Sequence, residues 1–166
     1  MRSWRILLAA FAVPAVATAT AIVAPSAAQA ISYSQITNAN SGKCLDVYNW
    51  SKQPGATIDQ WSCGNRQKNQ EWGPRAVGSL VEIINENSGL CLISDAVAGD
   101  GVTQAACTGN AGELWLDQST SSGDVFRNDE TGYALEVYGA SKSNGAIVDT
   151  WYYNGKNNQL WSIVGF

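Results

Sequence analysis

The sequence predicts an all-β domain: a closed barrel of about twelve short strands, built from three copies of one four-stranded unit. Two observations carry this. The signature (Gln/Glu)-x-Trp occurs as Gln70-Glu71-Trp72, Glu113-Leu114-Trp115 and Gln159-Leu160-Trp161, so its tryptophans recur at spacings of 43 and then 46 residues. Each signature closes a segment that resembles the other two, the mark of a repeated supersecondary unit. Turn signals such as Asn40-Ser41-Gly42, Pro54-Gly55, Gly99-Asp100-Gly101, Asn144-Gly145 and Asn154-Gly155 punctuate the chain. They recur about every 8 to 12 residues, with β-branched and aromatic runs between them and almost no helical periodicity. Three four-stranded copies in one small domain point to the β-trefoil, in which closure removes the exposed edges of separate hairpins.

The first thirty residues stand apart from the repeats. Arg2 and Arg5 form a short cationic start, Ile6 to Ala24 is apolar, and Ala28-Gln29-Ala30 gives a small-x-small cleavage pattern. Residues 1–30 are therefore expected to be a secretory signal peptide, with 31–166 as the exported domain. An uncleaved membrane anchor is the rival reading, disfavoured by Pro14 and by the cleavage pattern. Without Arg2 and Arg5 the chain keeps 8 basic against 14 acidic residues. An acidic chain with no basic cluster argues against nucleic acid and anionic membranes as partners.

The copies span about 36–78, 83–123 and 126–166. They open at Asn38-Ala39-Asn40-Ser41-Gly42, Asn85-Glu86-Asn87-Ser88-Gly89 and Asn128-Asp129-Glu130-Thr131-Gly132. In an exported chain, four cysteines read as two disulfides with three possible connectivities. Cys44 and Cys63 of the first copy hold the places of Cys91 and Cys107 in the second. Pairing within each copy is favoured, each bridge stabilising by about 3 kcal/mol. The third copy has Ala134 and Tyr153 at those places and must hold by packing alone. With no His and no CxxC pair, a structural zinc site is disfavoured.

Strand alternation separates core from surface. In Leu45-Asp46-Val47 and Leu135-Glu136-Val137 the carboxylate faces away from its apolar neighbours. Asp59 and Trp61 share one face, as do Asp149 and Trp151, which leaves the polar Gln60 and Thr150 pointing inward. Trp72, Trp115 and Trp161 recur in every copy and are expected to fill the barrel rather than to bind a ligand.

Over essentially its whole exported length the chain resembles the ricin-type β-trefoil lectins, whose repeats carry Cys-Leu-Asp-Val near the start and end in Gln-x-Trp. The resemblance rests on Cys44-Leu45-Asp46-Val47, Ile58-Asp59-Gln60-Trp61-Ser62-Cys63 and Asn69-Gln70-Glu71-Trp72, with counterparts in the other copies. It implies carbohydrate-binding sites made by Asp46, Asp59, Trp61, Asn69 and Gln70 in the first copy. In the third it implies Glu136, Asp149, Trp151, Asn158 and Gln159, with Tyr48 and Tyr138 as rim residues. The chemistry fits sugars: a carboxylate accepts two hydroxyl hydrogen bonds, an amide donates and accepts, and an aromatic ring packs on a pyranose C–H face. The second copy has Ile93, Thr103, Ala105, Gly112 and Glu113 at the matching places and reads as structural.

Two departures from the family bear on specificity. Many members have an amide where Asp59 and Asp149 stand, so each site here holds two acids, which suits a hydroxyl-rich ligand or, less readily, a bridging calcium ion. Glu136 in place of Asp46 lengthens the third site's leading carboxylate. The reading that follows is a secreted, monomeric lectin with two non-catalytic sites, no cofactor and no bound metal, taking galactose-type glycans or plant polysaccharides. The alternatives are a small glycoside hydrolase using the carboxylate pairs and a β-trefoil protease inhibitor.

Overall fold

The computed structural model describes residues 30–163. The expected signal segment lies, apart from Ala30, outside the described residues. Each copy contributes four strands. The first gives β1 (Ser34–Asn38), β2 (Cys44–Val47), β3 (Ile58–Trp61) and β4 (Glu71–Val77). The second gives β5 (Leu80–Asn85), β6 (Cys91–Ile93), β7 (Thr103–Ala105) and β8 (Leu114–Thr120). The third gives β9 (Gly123–Asn128), β10 (Ala134–Val137), β11 (Ala146–Trp151) and β12 (Trp161–Ile163).

All strand pairs are antiparallel, and two layers result. β1, β4, β5, β8, β9 and β12 pair in a ring, β1 closing on β12 through Ile36–Ile163, Thr37–Ser162 and Asn38–Trp161. The hairpins β2–β3, β6–β7 and β10–β11 form a cap over this six-stranded barrel, joined by β3–β11 pairing and by bridges at Thr57–Thr103 and Gly101–Asp149. This is the β-trefoil.

The closing tryptophans form the core's common layer. Trp72, Trp115 and Trp161 are fully buried, and each Nε1–H donates to the carbonyl of the leucine before the leading carboxylate position: Leu45, Leu92 and Leu135, each at 3.0 Å. An indole that buries both its area and its one donor is a core residue, as the repeat pattern implies.

A second set of contacts ties the copies into a ring. Asn38, Asn85 and Asn128 are buried, and the Nδ2 of each donates to a carbonyl at the end of the preceding copy: Asn158, Asn69 and Gly112, at 2.9, 3.1 and 2.9 Å. In each case the asparagine carbonyl accepts from Gly42, Gly89 or Gly132, whose φ near +70° suits glycine. The inward polar residues of the cap do similar work. Gln60 donates to Ser141 and Ser143 of the third copy, and Gln104 donates to Ser51 and Gln53 of the first. Thr150 Oγ1 lies 3.1 Å from Ser94 Oγ of the second copy. What alternation leaves as polar groups on a core face are therefore satisfied braces between copies.

Cys44 is bonded to Cys63 and Cys91 to Cys107, one bridge within each of the first two copies. In the third, Tyr133 meets Tyr152 edge-on at 4.8 Å, and Arg127 lies 4.4 Å above the Tyr153 ring. An exposed cation–π contact contributes about 0.5–1 kcal/mol, well short of a disulfide.

Candidate carbohydrate site

The cap hairpins set the site chemistry by register. Cys44 faces Trp61, Leu45 faces Gln60 and Asp46 faces Asp59 across β2–β3, so the two acids are direct cross-strand neighbours. The third copy repeats this ladder with Ala134–Trp151, Leu135–Thr150 and Glu136–Asp149. The second repeats it without the chemistry, as Cys91–Ala105, Leu92–Gln104 and Ile93–Thr103.

In the first copy Asp46, Asp59 and Asn69 line a cavity of about 380 Å³ together with Trp61, Tyr48, Asn49, Trp50 and Gln67. Alternation alone makes Asp46 and Asp59 outward-facing, yet they are 6% and 2% exposed because they form the floor of a recess. The aromatics form its open edge, with Trp61 at 44%. Asp46 Oδ2 accepts from Asn69 Nδ2 and from Gln70 Nε2, both at 2.8 Å. The N–H groups of both amides are otherwise committed to the protein, Asn69 to the Val47 carbonyl and Gln70 to the Ser62 carbonyl, and Gln70 Oε1 accepts from the Gly64 N–H. Gln70 is fully buried; it orients the carboxylate and braces the loop from behind the pocket.

The third copy builds the same frame. Gln159 Nε2 donates to Glu136 Oε2 at 2.6 Å and to the Tyr152 carbonyl, and Asn158 Nδ2 donates to the Val137 carbonyl. Trp151 and Tyr138 are exposed beside them. In the second copy Glu113 keeps only the loop-bracing half of this work, accepting from the Thr108 and Gly109 N–H groups.

Five buried side-chain atoms among the described residues accept no hydrogen bond: Asp59 Oδ1, Asn69 Oδ1, Asp149 Oδ1, Asn158 Oδ1 and Asp117 Oδ1. Four of the five are the same two atoms in the two candidate sites. An unsatisfied buried acceptor costs about 1–3 kcal/mol, and this cost recurs at equivalent positions of the first and third copies. Among the described residues no group of three or more His, Cys, Asp or Glu is placed to hold a metal ion.

Electrostatics sharpen the same picture. Burial, with the facing Asp46 charge, pushes Asp59 up to about 7, and burial with the facing Glu136 pushes Asp149 up to about 7. Burial raises Asp46 to about 6 against the hydrogen bonds from Gln70 and Asn69. Acids raised in the folded state hold their protons more tightly there than in the unfolded chain. The stability they contribute is complete below about pH 4 and is lost as pH rises through 6 to 7. The melting temperature is expected to fall across that window, and Asp59→Asn with Asp149→Asn to flatten the profile. A parent profile no steeper than the double variant's would show these carboxylates to be solvated and charged throughout.

Sequence reasoning did not single out Trp50, Asn49 and Gln67, which line the first recess. Trp50 and Asn49 adopt φ values of 55° and 52°, the left-handed region that a bulky residue rarely occupies, and Asn87 of the second copy donates to the Trp50 carbonyl at 3.0 Å. In the third copy Gly139 and Ala140 take the same backbone course without the aromatic wall. An aromatic one turn past the leading carboxylate was the available signal.

Trp61 and Trp151 each also lie close to a turn of the adjacent copy. A Cβ on Gly145 would lie 3.7 Å from Trp61 Cζ3, and one on Gly99, which is in the second copy, only 3.1 Å from Trp151 Cζ3. Gly99 has φ +88°, so Gly99→Ala is expected to destabilise by about 1–2 kcal/mol and to weaken sugar binding at the third site alone. Equal loss at both sites in titrations of the variant would contradict this.

The ricin-type beta-trefoil lectin domain matches residues 32–161. Among solved structures, the chain is similar to a designed three-fold symmetric protein, ThreeFoil, at 32% identity and TM-score 0.76, covering 81% of this chain and 99% of that one. It is similar at 29% identity and TM-score 0.73 to an exo-β-1,3-galactanase from Clostridium thermocellum, covering 80% of this chain and 30% of the enzyme. A hemolytic lectin, CEL-III, matches at 27% identity and TM-score 0.66, covering 80% of this chain and 30% of that one. A comparison with curated proteins gives no match.

Proposed function

The chain belongs to the ricin-type β-trefoil lectin family, and from that premise we propose that it is a secreted carbohydrate-binding protein with two non-catalytic sites. The first uses Asp46, Asp59, Asn69 and Trp61, and the third Glu136, Asp149, Asn158 and Trp151, with Gln70 and Gln159 orienting the leading carboxylates. The observation that carries this is the doubled set of unsatisfied buried acceptors, each beside an exposed indole. Sugar hydroxyls supply the donors and a pyranose C–H face covers the ring. Family membership favours galactose-type glycans or plant polysaccharides as the class of ligand.

A glycan array and a polysaccharide-retention assay test the reading, with Trp61→Ala and Trp151→Ala as controls. Binding that the two substitutions remove supports it. Unchanged binding in the double variant would move the sites elsewhere, and release of reducing sugar would turn the carboxylate pairs into an acid/base pair.

A further inference from the structure

In both candidate sites, the buried hydrogen-bonding atoms that remain open are acceptors. The N–H groups of Asn69 and Gln70 all point into the protein, toward Asp46, Val47 and Ser62, leaving Asp59 Oδ1 and Asn69 Oδ1 open. Gln159 is likewise spent on Glu136 and Tyr152, leaving Asp149 Oδ1 and Asn158 Oδ1. A neutral hydroxyl fits this floor imperfectly: it can donate once, but its own lone pairs then face acceptors and find no buried donor. A protonated amine has three donors and no lone pair. It also places a positive charge between two acids that face each other across the hairpin, Asp46–Asp59 and Glu136–Asp149, and hydrogen bonds to ionised groups are the stronger kind.

We propose, resting on the sugar-binding reading above, that both sites select a pyranose carrying a free, protonated amine. Its ammonium sits against Asp59 or Asp149, and its C–H face rests on Trp61 or Trp151. The polymer class is a de-N-acetylated amino-glycan, and N-acetylation removes both the charge and two of the three donors. The substitution of a carboxylate for the family's frequent amide at these two positions is the specificity determinant.

The test is calorimetric titration with the methyl glycosides of galactosamine and glucosamine, their N-acetyl counterparts and the neutral hexosides, each in low and high salt. The Trp151→Ala protein isolates the first site. The amine is expected to bind at least about tenfold more tightly than its N-acetyl form in low salt. This preference should collapse with added salt and in Asp59→Asn, in which the amine and its N-acetyl form are expected to bind within about twofold of each other. Equal or tighter binding of the N-acetyl or neutral sugar by the parent would overturn the proposal. So would neutral-sugar binding that requires calcium and disappears with a chelator. Failure to bind any glycoside, with no signal on the array, would overturn the lectin reading itself and the proposal with it.

Discussion

Trp72→Ala is expected to lower the unfolding free energy by about 3–5 kcal/mol and the melting temperature by roughly 10 °C or more. The residue is fully buried and is the first of three equivalent indoles that fill the barrel, so truncation opens a cavity that its neighbours cannot close. It also strands the Leu45 carbonyl, which accepts the indole N–H at 3.0 Å. The internal control is Trp61→Ala. That indole is 44% exposed, and its loss should leave the unfolding midpoint nearly unchanged. Chemical denaturation of the two variants separates the roles. A Trp72→Ala protein within 1 kcal/mol of the parent would contradict the core assignment.

Loss of either exposed indole is expected to act on binding out of proportion to its own site. A small site built on one ring and a few hydrogen bonds should bind a single sugar with a Kd of about 0.1–1 mM. The two sites are separated by the barrel's pseudo-threefold arrangement, so a polymer or a glycan-coated surface engages both where a monosaccharide cannot. Avidity then exceeds either affinity by about 10²-fold or more. Trp61→Ala or Trp151→Ala should therefore abolish most retention on insoluble polysaccharide and leave monosaccharide affinity at the surviving site almost untouched. Titration with a monovalent sugar should give two sites in the parent and one in each variant. A parent value of three would make the second copy a working site despite Ile93, Thr103 and Ala105. A value of one would reduce the third copy to scaffold.

The fold was legible because its determinants repeat. Trp72, Trp115 and Trp161 recur with their flanking glutamine or glutamate, and strand alternation places Leu45, Val47, Leu135 and Val137 inside. The pairing of Cys44 with Cys63 and of Cys91 with Cys107 follows the same register. Three things were not legible, each for a physical reason. Asp46 and Asp59 sit in a recess rather than on an open face, because depth depends on loops that alternation does not describe. Gln60 reads as a polar misfit until the third copy's Ser141 and Ser143 carbonyls, 81 and 83 residues away, are brought to it by the fold. Trp50 escapes a search for matching offsets because its third-copy counterpart is Ala140, and a wall present in only one copy leaves no repeat signal.

The glycines beside Trp61 and Trp151 make each candidate site a party wall between two copies. Trp61 leans on the turn holding Gly145, and Trp151 on the turn holding Gly99. A copy excised from the chain keeps its own lining residues but loses the neighbouring turn against which its indole rests, so it is expected to bind less well than an adjacent pair. This divides the second copy's residues into two inheritances. Ile93 and Ala105 stand at the places of its own candidate pocket, whereas Thr103 bridges Thr57 of the first copy and the Gly99 turn lies against Trp151 of the third. A repeat expected not to bind is still leased to the one beside it.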